Sequence, residues 1–314
     1  MSQLVHLGID VGGTASRWVA CDQDGAIIAR GQANGATGHL FNPTERERLT
    51  RAFSTIAGAL VAQGLAAEFV TVGLTGYGAA VFGQMTQLVT DSFGISSQHS
   101  LIADDMTLTY AGIFAPGEGH LVSAGTGSIG LHIGADGRYV RVGGRGILID
   151  DAGSGSWIAL RALDQLYRCL DHTGSFADMS VLANAVFAII GSDDWHAVRQ
   201  FVYGNDRGVI GTLAVAVGKA AEQGDDAALG ILRDAGSELA QLAHALIART
   251  QKCPIALVGG VLTLHPCIGE QVASALVGFE VRQVSADAAL SAARLPLEEQ
   301  GMWAQVLAAK SALG

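Results

Sequence analysis

The length, composition and charge of the chain exclude several classes of protein. It has 314 residues, 49% of them hydrophobic and 15% charged, which is enough for one large or two ordinary globular domains and argues against disorder. A formal charge of −10 with only 19 Lys and Arg residues argues against nucleic-acid or membrane surfaces and favours a small-molecule partner. Because no apolar stretch approaches the ~18 residues that span a bilayer and no basic leader precedes the first strand, we expect a cytoplasmic protein.

The first hundred residues predict strands and helices in the order typical of an α/β fold. Strands are expected over 4–11, 17–21, 26–31, 69–74 and 100–103, the first three forming an antiparallel meander. Apolar residues at helical spacing predict a helix from Thr44 to Gln63, with Thr44 as N-cap and Glu47 as its capping-box partner. The last of these strands ends at Asp104.

The second part of the chain predicts further strands interrupted by a long helical region. Strands are expected over 120–124, 129–133, 253–258 and 279–284. Residues from about 175 to 250 are expected to be almost wholly helical, with an amphipathic run from Asp226 to Thr250. We therefore place a domain boundary near residue 112, which gives lobes of 1–112 and 113–314, the second carrying the helical insertion.

A strand followed by a Gly/Thr/Ser turn occurs twice. The segment Gly13-Thr14-Ala15-Ser16 is echoed by Gly125-Thr126-Gly127-Ser128, and the turns Asp24-Gly25 and Asp136-Gly137 follow at the same offset of 112 residues. The sequence has no P-loop and no dinucleotide-binding fingerprint, so neither common nucleotide scaffold accounts for these turns. The repeat predicts two related half-molecules, each with a loop of N–H groups and hydroxyls, that together grip a polyphosphate.

The first of these turns follows a carboxylate. Gly12 and Gly13 allow backbone N–H groups to face an anion, Thr14 adds a hydroxyl donor, and Arg17 adds a charged contact to phosphate. Asp10, at the end of the strand, is the predicted ligand of Mg²⁺, commonly through water. The alternative is an ordinary hairpin with glycine in its turn.

Three further motifs have both a structural and a functional interpretation. Asp104 ends a strand, where a carboxylate can act as the base of phosphoryl transfer, or it can cap the next helix, a role equally suited to Asp105. Asp150 and Asp151 precede a helix that they can cap, or they accept hydrogen bonds from sugar hydroxyls. The Gly259-Gly260 turn, taken by itself, is only weak evidence for a binding site. Four cysteines without CxxC or metal-ligand spacing predict reduced, mostly buried thiols.

Taken together, these residues resemble the acetate and sugar kinase/Hsp70/actin superfamily and, within it, the BadF/BadG/BcrA/BcrD ATPase family, which includes N-acetylglucosamine and glucosamine kinases. The resemblance covers nearly the whole chain and implies two ribonuclease-H-like, actin-like ATPase lobes that use ATP and Mg²⁺. Asp10–Thr14 and Gly125–Ser128 resemble the family's phosphate motifs, and Val258–Val261 its adenosine motif. Asp104 falls where the family places its catalytic aspartate.

The motifs that resemble the family's sugar site depart from the family pattern more than the nucleotide motifs do. Thr75-Gly76 is similar to a family turn that lines the sugar, and Asp151 resembles the aspartate of a Gly-Asp-Glu segment. The chain departs from the family's Gly-Gly-Trp-Gly by having Gly143-Gly144-Arg145-Gly146, from Gly-Asp-Glu by having Ala152, and from a usual Asn by having Gly38. The resemblance therefore supports the phosphoryl donor better than the acceptor.

These observations predict a kinase that phosphorylates the 6-hydroxyl of N-acetylglucosamine or glucosamine, and Asp104→Asn is expected to abolish turnover. A kinase for another sugar stays open, as does a homodimer, since relatives are often dimers. The rivals are an iron–sulfur activator ATPase, which needs a cysteine in a glycine-rich turn, and a zinc-containing repressor or kinase, which needs a compact Cys/His cluster. The sequence spacing shows neither. A chaperone would need a separate peptide-binding domain, for which no length remains.

Overall fold

The computed structural model describes residues 2–297 together with residues 303, 306 and 307. Within these residues, ten strands form two five-stranded mixed sheets flanked by helices. The strands are β1 Gln3–Val11, β2 Ala15–Cys21, β3 Ile27–Asn34, β4 Leu65–Leu74, β5 Ser100–Asp104, β6 His120–Ala124, β7 Ser128–Ile133, β8 Tyr139–Gly143, β9 Ile255–Val258 and β10 Val281–Gln283. The helices are α1 Pro43–Ala62, α2 Phe82–Phe93, α3 Asp105–Ala111, α4 Gly155–Thr173, α5 Ser180–Ile190, α6 Trp195–Gly204, α7 Arg207–Gly211, α8 Leu213–Glu222, α9 Asp226–Arg249, α10 Pro266–Ala275 and α11 Ala288–Arg294.

The two sheets have the same topology. Their strand orders are β3-β2-β1-β4-β5 and, read from the other edge, β8-β7-β6-β9-β10. In the first sheet β1 is antiparallel to β2 and parallel to β4. In the second, β6 is antiparallel to β7 and parallel to β9. The α/β fold of two related halves is thus confirmed, and the repeated sequence motif is the hairpin that starts each sheet.

The contacts divide the chain into two compact units. Unit 1 comprises the described residues up to Glu118, Ile133–Arg138 and those from Ala286 onward. Unit 2 comprises Gly119–His132 and Tyr139–Ser285. The sequence predicted a single boundary near residue 112, whereas in this division the end of the chain groups with its beginning. Local sequence patterns cannot predict that the end of the chain groups with its beginning, because this grouping depends on contacts between residues far apart in the chain.

The helix α11 belongs to unit 1 because it packs closely on β1 and β2. At Gly8, in the middle of β1, an added Cβ would overlap the carbonyl oxygen of Ala289 in α11. A glycine is needed there so that helix and strand can approach, although glycine inside a strand is otherwise unfavourable.

The start of α1 corrects the predicted cap. The helix begins at Pro43, and the N-cap is Asn42, whose side chain accepts a hydrogen bond from the backbone N–H of Thr44. Proline is favoured at the first helical position because it has no N–H to leave unbonded, and Asn is a good cap. The prediction of Thr44 as N-cap was therefore wrong, and Glu47 instead forms an ion pair with Arg51.

The predicted helical insertion lies between β8 and β9. Unit 1 has the single helix α1 at the equivalent point between β3 and β4, whereas unit 2 has α4 through α9. The final helix of the insertion, α9, runs from Asp226 to Arg249 and buries one face in the core of unit 2. No helix of the described part of the chain is both long and apolar enough to cross a membrane.

Candidate functional site

The first glycine loop, residues 12–14, connects β1 to β2 in unit 1. The N–H of Gly12 donates to the carbonyl of Ala15 at 3.1 Å, which closes a tight turn. Gly13 and Thr14 are exposed, and a Cβ on Gly13 would meet nothing within 4 Å. Arg48 of α1 donates to the carbonyl oxygens of Gly13 and Gly35 at 3.1 and 2.9 Å, so the loop is braced on its carbonyl side. Such a loop keeps open space over its glycine backbone.

Asp10, at the end of β1, is partly buried and faces a second carboxylate. Burial raises the pKa of Asp10, and the charge of Asp105 raises it further, while Arg17 on the paired strand β2 lowers it. A carboxylate whose proton affinity is raised by a second negative charge lies in a site where a cation would be stabilised. Carboxylate oxygens are the ligands that Mg²⁺ prefers, so Asp10 and Asp105 fit a magnesium ion chemically.

The adjacent residues Asp104 and Asp105 have different environments. Asp104 is the N-cap of α3, where its two oxygens accept from the backbone N–H and the hydroxyl of Thr107, both at 2.8 Å. Asp105 accepts from the hydroxyl of Thr75 at 2.6 Å, and burial raises its pKa. Of the two interpretations of Asp104, the structure displays the helix cap; its role as a base stays a prediction.

The predicted sugar-side residues of unit 1 lie together. The N–H of Gly38 donates to the carbonyl of Thr75 at 2.8 Å, so these two segments meet although they are far apart in sequence. Gly76 has a φ of 74°, and a Cβ there would overlap the ring of His39. Next to this turn, burial and the charge of Asp104 raise the pKa of Tyr77 to about 12. Tyr77 is therefore an un-ionised phenol, with a hydroxyl that can donate a hydrogen bond.

The second glycine loop, residues 125–128, connects β6 to β7 in unit 2 and is fixed by the start of α4. The N–H of Gly155 donates to the carbonyl of Gly125 at 2.8 Å, and the hydroxyl of Ser156 to that of Thr126 at 2.8 Å. Ser128 is buried and its hydroxyl donates to Ala152. Ser128 thus holds the loop in place, whereas Thr126 is exposed.

Asp151 adjoins this second loop. Its side chain is 1% exposed, and one carboxylate oxygen accepts from Arg207 of α7 at 3.1 Å. The other oxygen is buried with no hydrogen-bond partner. A Cβ on Gly127 would lie 3.0 Å from both carboxylate oxygens, so residues predicted for the nucleotide and for the sugar are neighbours here. The backbone of Asp151 has a φ of 65°, the left-handed region that costs most residues energy.

The segment around Arg145 is more exposed. Gly143, Gly144 and Gly146 all have positive φ angles, which turns the chain sharply after β8. The Arg145 side chain is 62% exposed and forms an ion pair with Asp150 at 3.2 Å. The two adjacent aspartates, 150 and 151, are therefore paired with different arginines in different environments.

Gly259 lies beside the second glycine loop, at the end of the neighbouring strand β9. It follows β9, which pairs with β6, and has a φ of 111°. An added Cβ would overlap the backbone of Ala124, the residue just before the loop. Gly259 is therefore required for close backbone packing beside this loop, and the exposed Gly260 starts the next turn.

Four residues that contact or lie near the predicted site residues were not identified from the sequence. Arg48 braces the first loop, Glu45 binds Thr37 beside Gly38, Tyr77 lies near Asp104, and Arg207 pairs with Asp151. The hydrogen bond from Thr37 is the main cause of the lowered pKa of Glu45. None of the four falls in a motif. Only Arg207 could have been singled out from the sequence, as a charged residue within a mostly apolar helical stretch.

Comparison with known proteins identifies the family of the chain. The model of the BadF/BadG/BcrA/BcrD ATPase family matches residues 7–292. An N-acetylmuramic acid/N-acetylglucosamine kinase of Clostridium acetobutylicum is 27% identical over 168 residues, 52% of this chain and 54% of that protein, so this alignment spans only about half of the relative. An N-acetyl-D-glucosamine kinase of Dictyostelium discoideum is 24% identical and is covered over its full length by 96% of this chain.

Solved structures show the same fold. A candidate N-acetylglucosamine kinase from Chromobacterium violaceum has a TM-score of 0.71 and 25% identity, with 95% of this chain and 99% of that chain covered. A ROK family glucokinase from Streptomyces griseus, in complex with glucose and AMPPNP, has a TM-score of 0.58 and 16% identity over 95% of this chain and 100% of that one. The second likeness is one of fold alone.

Proposed function

This chain belongs to the BadF/BadG/BcrA/BcrD ATPase family, and we propose that it transfers the γ-phosphoryl group of ATP to the 6-hydroxyl of an amino sugar, N-acetylglucosamine or glucosamine. The coarse activity is that of a sugar kinase, since the curated relatives are named as kinases of N-acetylated amino sugars. The observation that carries the proposal is the pair of equivalent glycine-loop hairpins, the first of which places Asp10 beside Asp105.

In the proposed reaction, the glycine loops bind phosphate oxygens through backbone N–H groups. Gly13 and Thr14 in unit 1 and Thr126 in unit 2 are exposed, whereas Gly12 and Gly125 are half-buried. Arg17, which is exposed on β2, adds a positive charge. Asp10 would hold Mg²⁺, which would supply positive charge to the transferring phosphates.

We assign the proton-accepting role to Asp105 in preference to Asp104. Both carboxylates accept two hydrogen bonds, Asp104 from Thr107 in the helix cap and Asp105 from Met106 and Thr75. Burial raises the pKa of Asp105, which suits a general base. The Asp105 carboxylate accepts the proton of the sugar hydroxyl as the hydroxyl oxygen attacks the γ-phosphorus and ADP leaves. Thr75 donates to Asp105 and orients it.

The acceptor sugar is tested by a panel of hexoses in an assay of ADP release. N-acetylglucosamine or glucosamine is expected to give the highest kcat/KM, and the product is expected to carry phosphate on the 6-oxygen, as read by ³¹P–¹H correlation NMR. Glucose and N-acetylmannosamine are the matched controls for the amino group and its configuration. Phosphorylation at the anomeric oxygen, or a preference for glucose, would contradict the proposal.

Removal of the Thr75 hydroxyl is expected to shift the pH profile of the reaction. The base acts as a carboxylate, so kcat/KM falls as the pH drops through the pKa of Asp105. Burial raises that pKa, and the Thr75 hydrogen bond lowers it by stabilising the charged form. Thr75→Val should therefore raise the pKa and move the acidic limb of the profile to higher pH. Thr75→Ser keeps the donor and should leave the limb in place; an unmoved limb in the Val variant would remove Thr75 from this role.

A further inference from the structure

The interior of unit 2 contains three metal-ligating side chains that the kinase reaction does not use. They are His120, His132 and Cys253, with relative exposures of 0%, 4% and 8%. One ligand atom of each lies within 4.8 Å of those of the other two. Polar groups are costly to bury without suitable partners, so three of them in one place require a physical explanation.

The sheet of unit 2 creates this group from distant parts of the sequence. His120 is the first residue of β6, His132 lies at the end of the antiparallel β7, and Cys253 precedes the parallel β9. All three residues thus lie at the end of the sheet where β6 begins. The second glycine loop lies at the opposite end, where β6 ends. Five strand residues separate the two places by about 15 Å. The group is therefore distinct from the proposed phosphate site.

Hydrogen bonds determine which ring nitrogens are available to a metal. The Nε2 atom of His120 lies 2.8 Å from the carbonyl oxygen of Gln251, and the Nδ1 atom of His132 lies 2.8 Å from that of Gly119. A carbonyl oxygen only accepts hydrogen bonds, so each of these nitrogens carries a hydrogen. In the neutral rings, the lone pairs are then on Nδ1 of His120 and Nε2 of His132. Metal-ligating histidines characteristically donate their other N–H to such a carbonyl.

The Nδ1 atom of His120 is a buried acceptor without a hydrogen-bond partner. An unsatisfied buried polar atom costs about 1–3 kcal/mol. The two imidazole rings are tilted by 51°, with centroids 4.9 Å apart. A cation between the rings would satisfy the Nδ1 lone pair, which nothing in the described fold does.

We propose that His120, His132 and Cys253 bind a Zn²⁺ ion that fastens β6, β7 and the start of β9. Two imidazole nitrogens and a thiolate form a ligand set suited to zinc, and Cys253 loses its proton to the solvent on binding. Ligand atoms on one zinc ion are about 3.3–3.6 Å apart, so the side chains close by about an ångström. The described part of the chain adds no fourth His, Cys, Asp or Glu to the group, and a water molecule completes the coordination.

The test measures metal directly and does not depend on kinase activity. The full chain, expressed with added zinc and dialysed, is expected to retain about one zinc per chain by elemental analysis. When Co²⁺ replaces zinc, it is expected to show the thiolate-to-cobalt charge-transfer band and the intense visible bands of tetrahedral cobalt. Removal of the zinc by a chelator should lower the midpoint of thermal unfolding.

Cys253→Ser is expected to lose the zinc and the thiolate band, whereas Cys267→Ser should keep both. Cys267 is the matched control because it is equally buried, at 6%, and lies in the same unit on α10. Wild-type protein that holds less than a tenth of an equivalent and gives no cobalt thiolate band would overturn the proposal. The same holds if Cys253→Ser binds zinc as well as the wild type. Because the wild-type measurement decides by itself, the test stands even if the variant fails to fold.

Discussion

Asp105→Asn is expected to lower kcat by about 100- to 10,000-fold, the usual contribution of a general base, while the affinity for ATP stays within a few fold of the wild type. The carboxylate of Asp105 is the one near Asp10 and Thr75, and its pKa is raised by burial. Asn has nearly the same shape but cannot accept the hydroxyl proton. The measurement is kcat from ADP release, with ATP binding measured separately by calorimetry.

Asp104→Asn is the matched control on the adjacent residue. Asn caps helices about as well as Asp, so the hydrogen bond from the Thr107 N–H survives and kcat should fall by less than about tenfold. The sequence by itself assigned the base to Asp104, and that assignment predicts the reverse. A collapse of turnover in Asp104→Asn with near-normal turnover in Asp105→Asn would therefore restore it.

Stability separates a catalytic loss from a folding defect in Asp105→Asn. The folded-state pKa of Asp105 is raised, so the folded protein favours the protonated carboxyl and the ionised form weakens folding at neutral pH. The stabilising effect of this group is present at low pH and is lost as the pH rises through the raised pKa. Asn removes the buried charge, so the variant should unfold at a temperature equal to or higher than that of the wild type at neutral pH. A clearly lower midpoint would point to a structural role.

The sequence predicted the repeated part of the fold well because local patterns determine it. The strands before the two glycine loops are apolar runs that end in glycine turns, and β1, β2, β6 and β7 are found within a few residues of their predicted bounds. The constant offset of 112 residues between the motifs corresponds to the shared strand order of the two sheets. The long helix α9 was equally clear from its apolar spacing.

The sequence could not resolve features that depend on distant contacts or on a choice between adjacent residues. Two consecutive aspartates after a strand both suit a helix cap, and only the bond from Thr75, thirty residues earlier, distinguishes Asp105 from Asp104. The partner of Asp151 is Arg207, which comes from an insertion with no motif. The group of His120, His132 and Cys253 likewise has no recognisable spacing, because two strands and the segment before a third bring it together.

Asp151→Asn is expected to lower kcat/KM for the sugar by about 10- to 100-fold, the value of one hydrogen bond to a charged group, with ATP affinity unchanged. The buried oxygen of Asp151 that has no partner is proposed to accept a sugar hydroxyl, while Arg207 holds the other oxygen. Asn tolerates the left-handed backbone at this position, where φ is 65°, and can still accept from Arg207, so the fold should be kept. The charge is then the main property removed.

Asp150→Asn is the control, because Asp150 is adjacent but pairs with the exposed Arg145. Exposed ion pairs contribute about 0–1 kcal/mol, so this variant should change neither sugar kinetics nor stability appreciably. If Asp151→Asn instead weakened ATP binding and left the sugar KM unchanged, Asp151 would belong to the second glycine loop, which it adjoins at Gly127. If the Asp150 variant lost sugar affinity as strongly as the Asp151 variant, the exposed Arg145 segment would be the part that recognises the acceptor.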